Sequence, residues 1–137
     1  MFRLQNAIGL EFAAGERVKE GEAVADETQI KLLKEKGVEA WNEWRKEHPR
    51  RRVNFSQANL FEADLGKANL EQALLRGANL NGANLSGATL IEADLCQADL
   101  RRADFREANL TGADLRWARI GRCRKCATTH HRAVSRR

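Results

Sequence analysis

Cys123, Cys126, His130 and His131 are the residues of this chain whose types suit a metal ion. A CxxC pair can set two thiolates on one zinc. The spacing that follows departs from the usual Cys2His2 arrangement, and only one of two adjacent imidazoles reaches the same ion. Zinc on Cys123 and Cys126 stays open, and no metal or cofactor site is assigned. A redox dithiol lacks the βαβ context such motifs have, and Ala127 stands where haem attachment requires histidine. The remaining histidine, His48, abuts Pro49. No nucleophile, base and orienting group come together in the sequence, so the chain is expected not to be an enzyme, with no catalytic residue assigned.

A second set of residues suits recognition. Trp117 lies close in sequence to Arg101, Arg102, Arg116, Arg119 and Arg122. Tryptophan and arginine are enriched where binding energy concentrates, so these are the candidate interaction residues.

What must position them is a five-residue phrase repeated fourteen times between Val53 and Arg122. Its first position is small and apolar, Val53 and then alanine from Ala58 to Ala118. Its third is large and apolar: Phe55, Leu60, Leu65, Leu70, Leu75, Leu80, Leu85, Leu90, Leu95, Leu100, Phe105, Leu110, Leu115 and Ile120, the predicted core. Its second is Asn or Asp in eleven units, the exceptions being Leu74, Thr89 and Arg119. On an α-helix a five-residue step advances about 500°, which smears the large side chains around every face. On one continuous strand, an odd step sends successive large residues to opposite faces. Both are excluded, and a chain that bends once per pentad keeps them on one side. The acids at the second position recur because the repeat does, and local hydrogen bonding is expected of them.

The run ANLNGANLSGATLIEADL resembles the pentapeptide-repeat proteins. The resemblance implies a mainly β chain, a right-handed quadrilateral β-helix with four pentads per turn and therefore about three and a half coils. With that period, Leu60, Leu80, Leu100 and Ile120 share a face with Arg101, Arg102, Arg119 and Arg122. The neighbouring face adds Arg76, Arg116 and Trp117. Exposed Phe61, Leu74 and Ile91 fall on different faces. Gly66, Gly77, Gly82, Gly87, Gly112 and Gly121 are expected at the bends, where permissive angles help.

Four segments follow: an N-terminal extension over 1–25, a capping helix or helix pair over 26–48, the repeats over 53–122 and a basic tail over 123–137. In the second, Ile30, Leu33, Trp41 and Trp44 recur at spacings that suit one helical face. Asp26 or Thr28 can cap its start, Pro49 ends it, and Gly37 is positioned to split it. The stretch LLKEKGVEAWNEWRKEHP is similar to the helical leader before the repeats in some bacterial members of the family. Solenoid ends need covering, so these residues are expected to close the first rung. Because no single coil buries enough to stand alone, one cooperative unfolding transition is expected.

Charge is uneven. Residues 118–137 carry seven basic side chains and no acid, against six basic and nine acidic over 53–117. With no secretory pattern in its first residues and no apolar run of membrane-spanning length, the chain is expected to be cytoplasmic. The function expected is a structural or interaction scaffold that binds another protein by an outer face or by the C-terminal end, with a homodimer through that end among the arrangements. The family resemblance implies an alternative, a DNA mimic that binds a type II topoisomerase such as gyrase. Contact with nucleic acid or another polyanion through the tail is a third reading.

Overall fold

A computed structural model of the chain describes residues 25–121. The extension over 1–24, and with it most of the first predicted segment, lies outside the described residues. So does the tail from 122 onward, including Cys123, Cys126, His130 and His131.

The pentad is held by an account of its five backbone N–H groups, of which buried backbone tolerates few unmet. In the central unit, the Ala83 N–H donates across the bend to the Leu80 C=O (3.0 Å), and the Asn84 N–H donates to Ala63 one coil below (2.9 Å). The N–H groups of Leu85 and Gly87 donate to Asp104 and Arg106 one coil above, each at 2.8 Å. The fourth-position Ser86 N–H finds the Asn84 side chain, Oδ1 at 3.0 Å. All eleven Asn and Asp residues at the second position make that last bond, as in Asn59 to Phe61 (3.2 Å) and Asp94 to Cys96 (3.0 Å). This is the local hydrogen bonding expected of them, and it explains the residue type: a short side chain with an acceptor three bonds from Cα closes an Asx turn.

Ten parallel bridges, each joining second positions, link a residue to the one twenty further on, from Asn54–Leu74 to Asp99–Arg119. Four pentads therefore make one turn. First- and third-position side chains point into a shared interior, with Leu60, Leu70, Leu80, Leu90 and Leu100 all at 0% exposure. Two predicted core residues differ. Leu115 is half-buried and Ile120 is 40% exposed, because no described residue stacks above them.

Each bend is closed by an i to i+3 hydrogen bond around a residue of positive φ at the fifth position, the pattern of a type II turn. Gly77, Gly82, Gly87 and Gly112 meet that demand, while Gly66 and Gly121 occupy the fourth position without positive φ. At Gly66 space is tight, since an added Cβ would lie 3.1 Å from Asn84 Nδ2. The other bends use non-glycine residues, among them Lys67 (φ 63°), Glu107 (φ 60°) and Trp117 (φ 64°). Gly82→Ala is expected to cost roughly 1 kcal/mol in urea denaturation, the left-handed penalty less the entropy removed from the unfolded chain. Glu107→Gly, which relieves that penalty, is expected to be neutral or stabilising.

Before the repeats, helix α1 (Glu27–Lys31) starts at Asp26, whose Oδ1 accepts from the Thr28 and Gln29 N–H groups. A π-type turn over Leu32–Lys36 follows, and Gly37 at φ 85° precedes the body of helix α2 (Gly37–Glu47), so the segment is split at Gly37. The wide turn shifts the helical phase, and Leu32 (0%) joins Leu33 (2%) in the buried face, while Ile30 packs only half-buried at its side. Trp41 and Trp44 stack at 5.2 Å, and Trp41 meets Phe55 at 5.4 Å. Polar groups from this segment reach backbone of the first rung. Trp41 Nε1 donates to the Asn69 C=O (2.9 Å), Asn42 Oδ1 accepts from the Asn69 N–H (2.8 Å), and Lys34 Nζ donates to the Asn59 C=O (2.6 Å). Buried Arg45 donates to the carbonyls of Arg51 (3.1 Å) and Glu71 (3.3 Å), and its desolvation lowers the guanidinium pKa.

Candidate functional site on the outer rows and the last rung

Side chains at the second, fourth and fifth positions stand in vertical rows, each row repeating every twenty residues, so the outer surface is a set of short columns. Near the C-terminal end three of these positions carry a shared device. Arg101 forks onto Asp99, Arg106 onto Asp104 and Arg116 onto Asp114, with Nη2 to Oδ2 at 2.6 Å in each. Nε also donates to Oδ1 in all three pairs, at 2.8 to 2.9 Å. The bend places the fourth-position side chain directly over the second-position carboxylate, so a D-x-R spacing gives a planar two-point contact.

This alters the reading of the basic residues. Arg101 and Arg116 are neutralised by acids of their own pentads rather than presented as open cations. Arg102 sits at a bend with φ 62° and is exposed. Arg119 is exposed and bridges Asp99 through the ladder. Arg122 lies outside the described residues. Trp117 is 63% exposed on a left-handed backbone, at the corner between the row of Arg116 and the side of Arg119. Phe61 is exposed near the other end of the column, while Leu74 and Ile91 are half-buried. Sequence reasoning missed Arg106, for which the D-x-R spacing was the available signal. It also missed Gln29, Lys34, Asn42 and Arg45, for which no signal exists without knowing which carbonyls they meet.

The ion pairs set a pH dependence. Hydrogen bonds from Arg101 and Arg116 hold the carboxyls of Asp99 and Asp114 below their ordinary value, against a smaller opposing effect of burial. The same contacts raise the pKa of Arg101, Arg106 and Arg116. For an acid whose folded pKa is depressed, the stabilisation is complete above the unfolded pKa and is lost as pH falls through the folded one. The melting temperature is therefore expected to be level between about pH 7 and 5 and to fall below about pH 4. Asp99→Asn is expected to flatten part of that fall in a pH series of thermal melts.

Cys96 is buried and forms no disulfide among the described residues. Among the described residues no cluster of His, Cys, Asp or Glu is placed to hold a metal ion, and no helix is long and apolar enough to cross a membrane.

A family model described as pentapeptide repeats matches residues 54–90 and 89–124, in 8 copies. The chain belongs to the pentapeptide-repeat family. Its coil is accordingly the right-handed quadrilateral β-helix of that family, a scaffold architecture generally without enzymatic activity. A pentapeptide repeat protein from Nostoc PCC 7120 is 34% identical over 64% of this chain and 69% of its own, with a TM-score of 0.55. A pentapeptide repeat protein of the Arabidopsis thaliana thylakoid lumen is 43% identical over 47% of this chain, with a TM-score of 0.42. HetL of Nostoc sp. strain PCC 7120, involved in regulation of heterocyst differentiation, is 42% identical over 50% of this chain, with a TM-score of 0.48. The match spans 48% of the thylakoid protein and 31% of HetL. No curated protein matches the chain.

Proposed function

We propose that this pentapeptide-repeat chain is an interaction scaffold: a rigid column of about three and a half coils, closed at its N-terminal end by α1 and α2, that binds another protein at its last rungs. The observation that carries the reading is the exposure of Trp117 (63%) on strained backbone, close to the partly uncovered Leu115 and Ile120. An indole that stands in water at a conformational cost is better matched to an anchor in a complementary pocket than to solvent. Arg119 adjoins that corner and Arg102 stands at the next corner one coil below, neither committed to a salt bridge among the described residues. A homodimer through the same end uses the same uncovered residues.

The DNA-mimic alternative has less support. Duplex DNA presents one negative charge per about 1.7 Å, whereas three of the nine repeat-region acids, Asp99, Asp104 and Asp114, each hold an arginine. Trp117→Ala is expected to remove at least one partner from an affinity pull-down, or to shift the molar mass by light scattering, with the thermal melt unchanged. Identical partner profiles and mass would remove Trp117 from the binding surface. Inhibition of gyrase supercoiling by the purified chain would favour the mimic instead.

A further inference from the structure

The first rung leaves the middle of one of its four sides without hydrogen bonding toward the helices. On the first side, the Asn54 N–H donates to Gln29 Oε1 (3.0 Å) and its C=O accepts from the Asp26 N–H (2.7 Å). On the second, Lys34 Nζ holds the Asn59 C=O. On the fourth, Asn42 and Trp41 hold both backbone groups of Asn69. On the third side, residues 63–67, Asn42 Nδ2 donates to the Lys67 C=O at the far end (3.0 Å), yet among the described residues neither the N–H nor the C=O of Asp64 makes a hydrogen bond toward the helices. An open ladder of this kind is a template for one more strand.

That side faces a groove with a cavity volume of about 690 Å³. Leu33, Val38, Ala63 and Leu65 give it apolar walls, and Phe61, 49% exposed, stands at its mouth. The π-type turn and Gly37 carry the helical segment past the groove without filling it. Its lining includes three lysines, Lys34, Lys36 and Lys67, against two carboxylates, Glu39 and Asp64. Lys36 and Lys67 make no ion pair among the described residues, while the Asp64 carboxylate already accepts from the Gly66 N–H (3.2 Å) and Asn84 Nδ2 (2.8 Å). Three lysines against two carboxylates leave the lining with a formal charge of +1.

We propose that this groove is a docking site for an extended acidic segment of a partner protein, which adds as a strand to the open edge at Asp64. The incoming backbone donates one N–H to the Asp64 C=O and offers one C=O to the Asp64 N–H. Alternate side chains then point to opposite sides. Small apolar residues enter over Leu33 and Leu65, and acidic residues face Lys36 and Lys67. Backbone pairing supplies affinity, while the pocket and the lysines supply selectivity. The proposal rests on the scaffold reading but not on Trp117, which belongs to the opposite end of the column.

The test uses the full chain and a fluorescein-labelled decapeptide of alternating valine and glutamate, a composition that favours extended backbone, followed by fluorescence anisotropy. Saturable binding is expected, with the amide exchange of Asp64 slowed on addition of peptide. The double variant Lys36→Glu, Lys67→Glu, and separately N-methylation of alternate peptide amides, are each expected to weaken binding by about tenfold or more. Both lysines are exposed, so the variant is expected to keep the wild-type circular dichroism and melt. A valine–lysine peptide is expected not to bind. Absence of saturation into the millimolar range overturns the proposal. So does equal binding of the N-methylated peptide, which would mean charge attraction alone. Binding that survives the double variant but is lost in Trp117→Ala would place the peptide at the last rung, overturning this site while supporting the other. Intact peptide binding in Trp117→Ala supports the groove.

Discussion

Trp41→Ala is expected to lower the unfolding free energy by about 3 to 5 kcal/mol, the range for removing a fully buried large aromatic side chain. Trp41 is at 0% exposure between Trp44 and Phe55, so the change leaves a void where the helical segment meets the first rung. The indole also donates to the Asn69 C=O, which is left without that donor. Trp41→Phe separates the two effects. It keeps most of the apolar contact and loses the hydrogen bond, for which about 1 to 2 kcal/mol is expected. Chemical denaturation followed by circular dichroism measures both. A loss under about 1 kcal/mol for Trp41→Ala would mean that α1 and α2 rest on the column without stabilising it, and the closing role proposed for them would fail.

The second large effect is a gradient along the column. Leu85 lies between Leu65 one coil below and Phe105 one coil above, and all three are at most 1% exposed. Leu85→Ala is expected to cost about 3 kcal/mol, because a side chain enclosed by stacked neighbours leaves a cavity that the rigid coils cannot collapse. Leu115→Ala, at a half-buried site, is expected to cost less than half as much. Ile120→Ala, at a site 40% exposed, is expected to stay within about 0.5 kcal/mol. The same denaturation series measures all three. Equal losses at the three sites would show that the last rung is as enclosed as the middle one, and Leu115 and Ile120 would then be unsuited to binding.

The five-residue period made the coil legible, because neither a helix nor a strand keeps Leu60, Leu65 and Leu70 on one side. It carried no information about the number of sides. That came from family resemblance, and the twenty-residue bridges agree with it. The left-handed fifth position was hidden, since Gln, Glu, Lys, Arg and Trp fill most of the bends and none of these announces positive φ. The stacking of coils over-determines those bends, and local preference gives way. The arginine pairs were hidden for a different reason. Arg101 and Arg116 read as surface charge until the bend is known to set the fourth side chain over the second. In the helical segment, a regular 3.6-residue phase points Ile30 inward with Leu33. The wide turn after Lys31 replaces that face with Leu32 and Leu33. The open backbone at Asp64 on the first rung is invisible in sequence altogether, because it depends on which carbonyls the helical side chains reach.

Four pentads per turn is the claim on which every surface and row depends, and site-directed disulfides test it most directly. In a background of Cys96→Ala, Cys123→Ser and Cys126→Ser, the pair Asn59→Cys with Asn79→Cys joins bridge partners one coil apart. Stacked strands lie about 4.8 Å apart, within disulfide reach. That pair is expected to cross-link readily under mild oxidation, while Asn59→Cys with Asn84→Cys, on adjacent sides, is expected to remain reduced. Cross-linking of the second pair in preference to the first would contradict a four-sided coil.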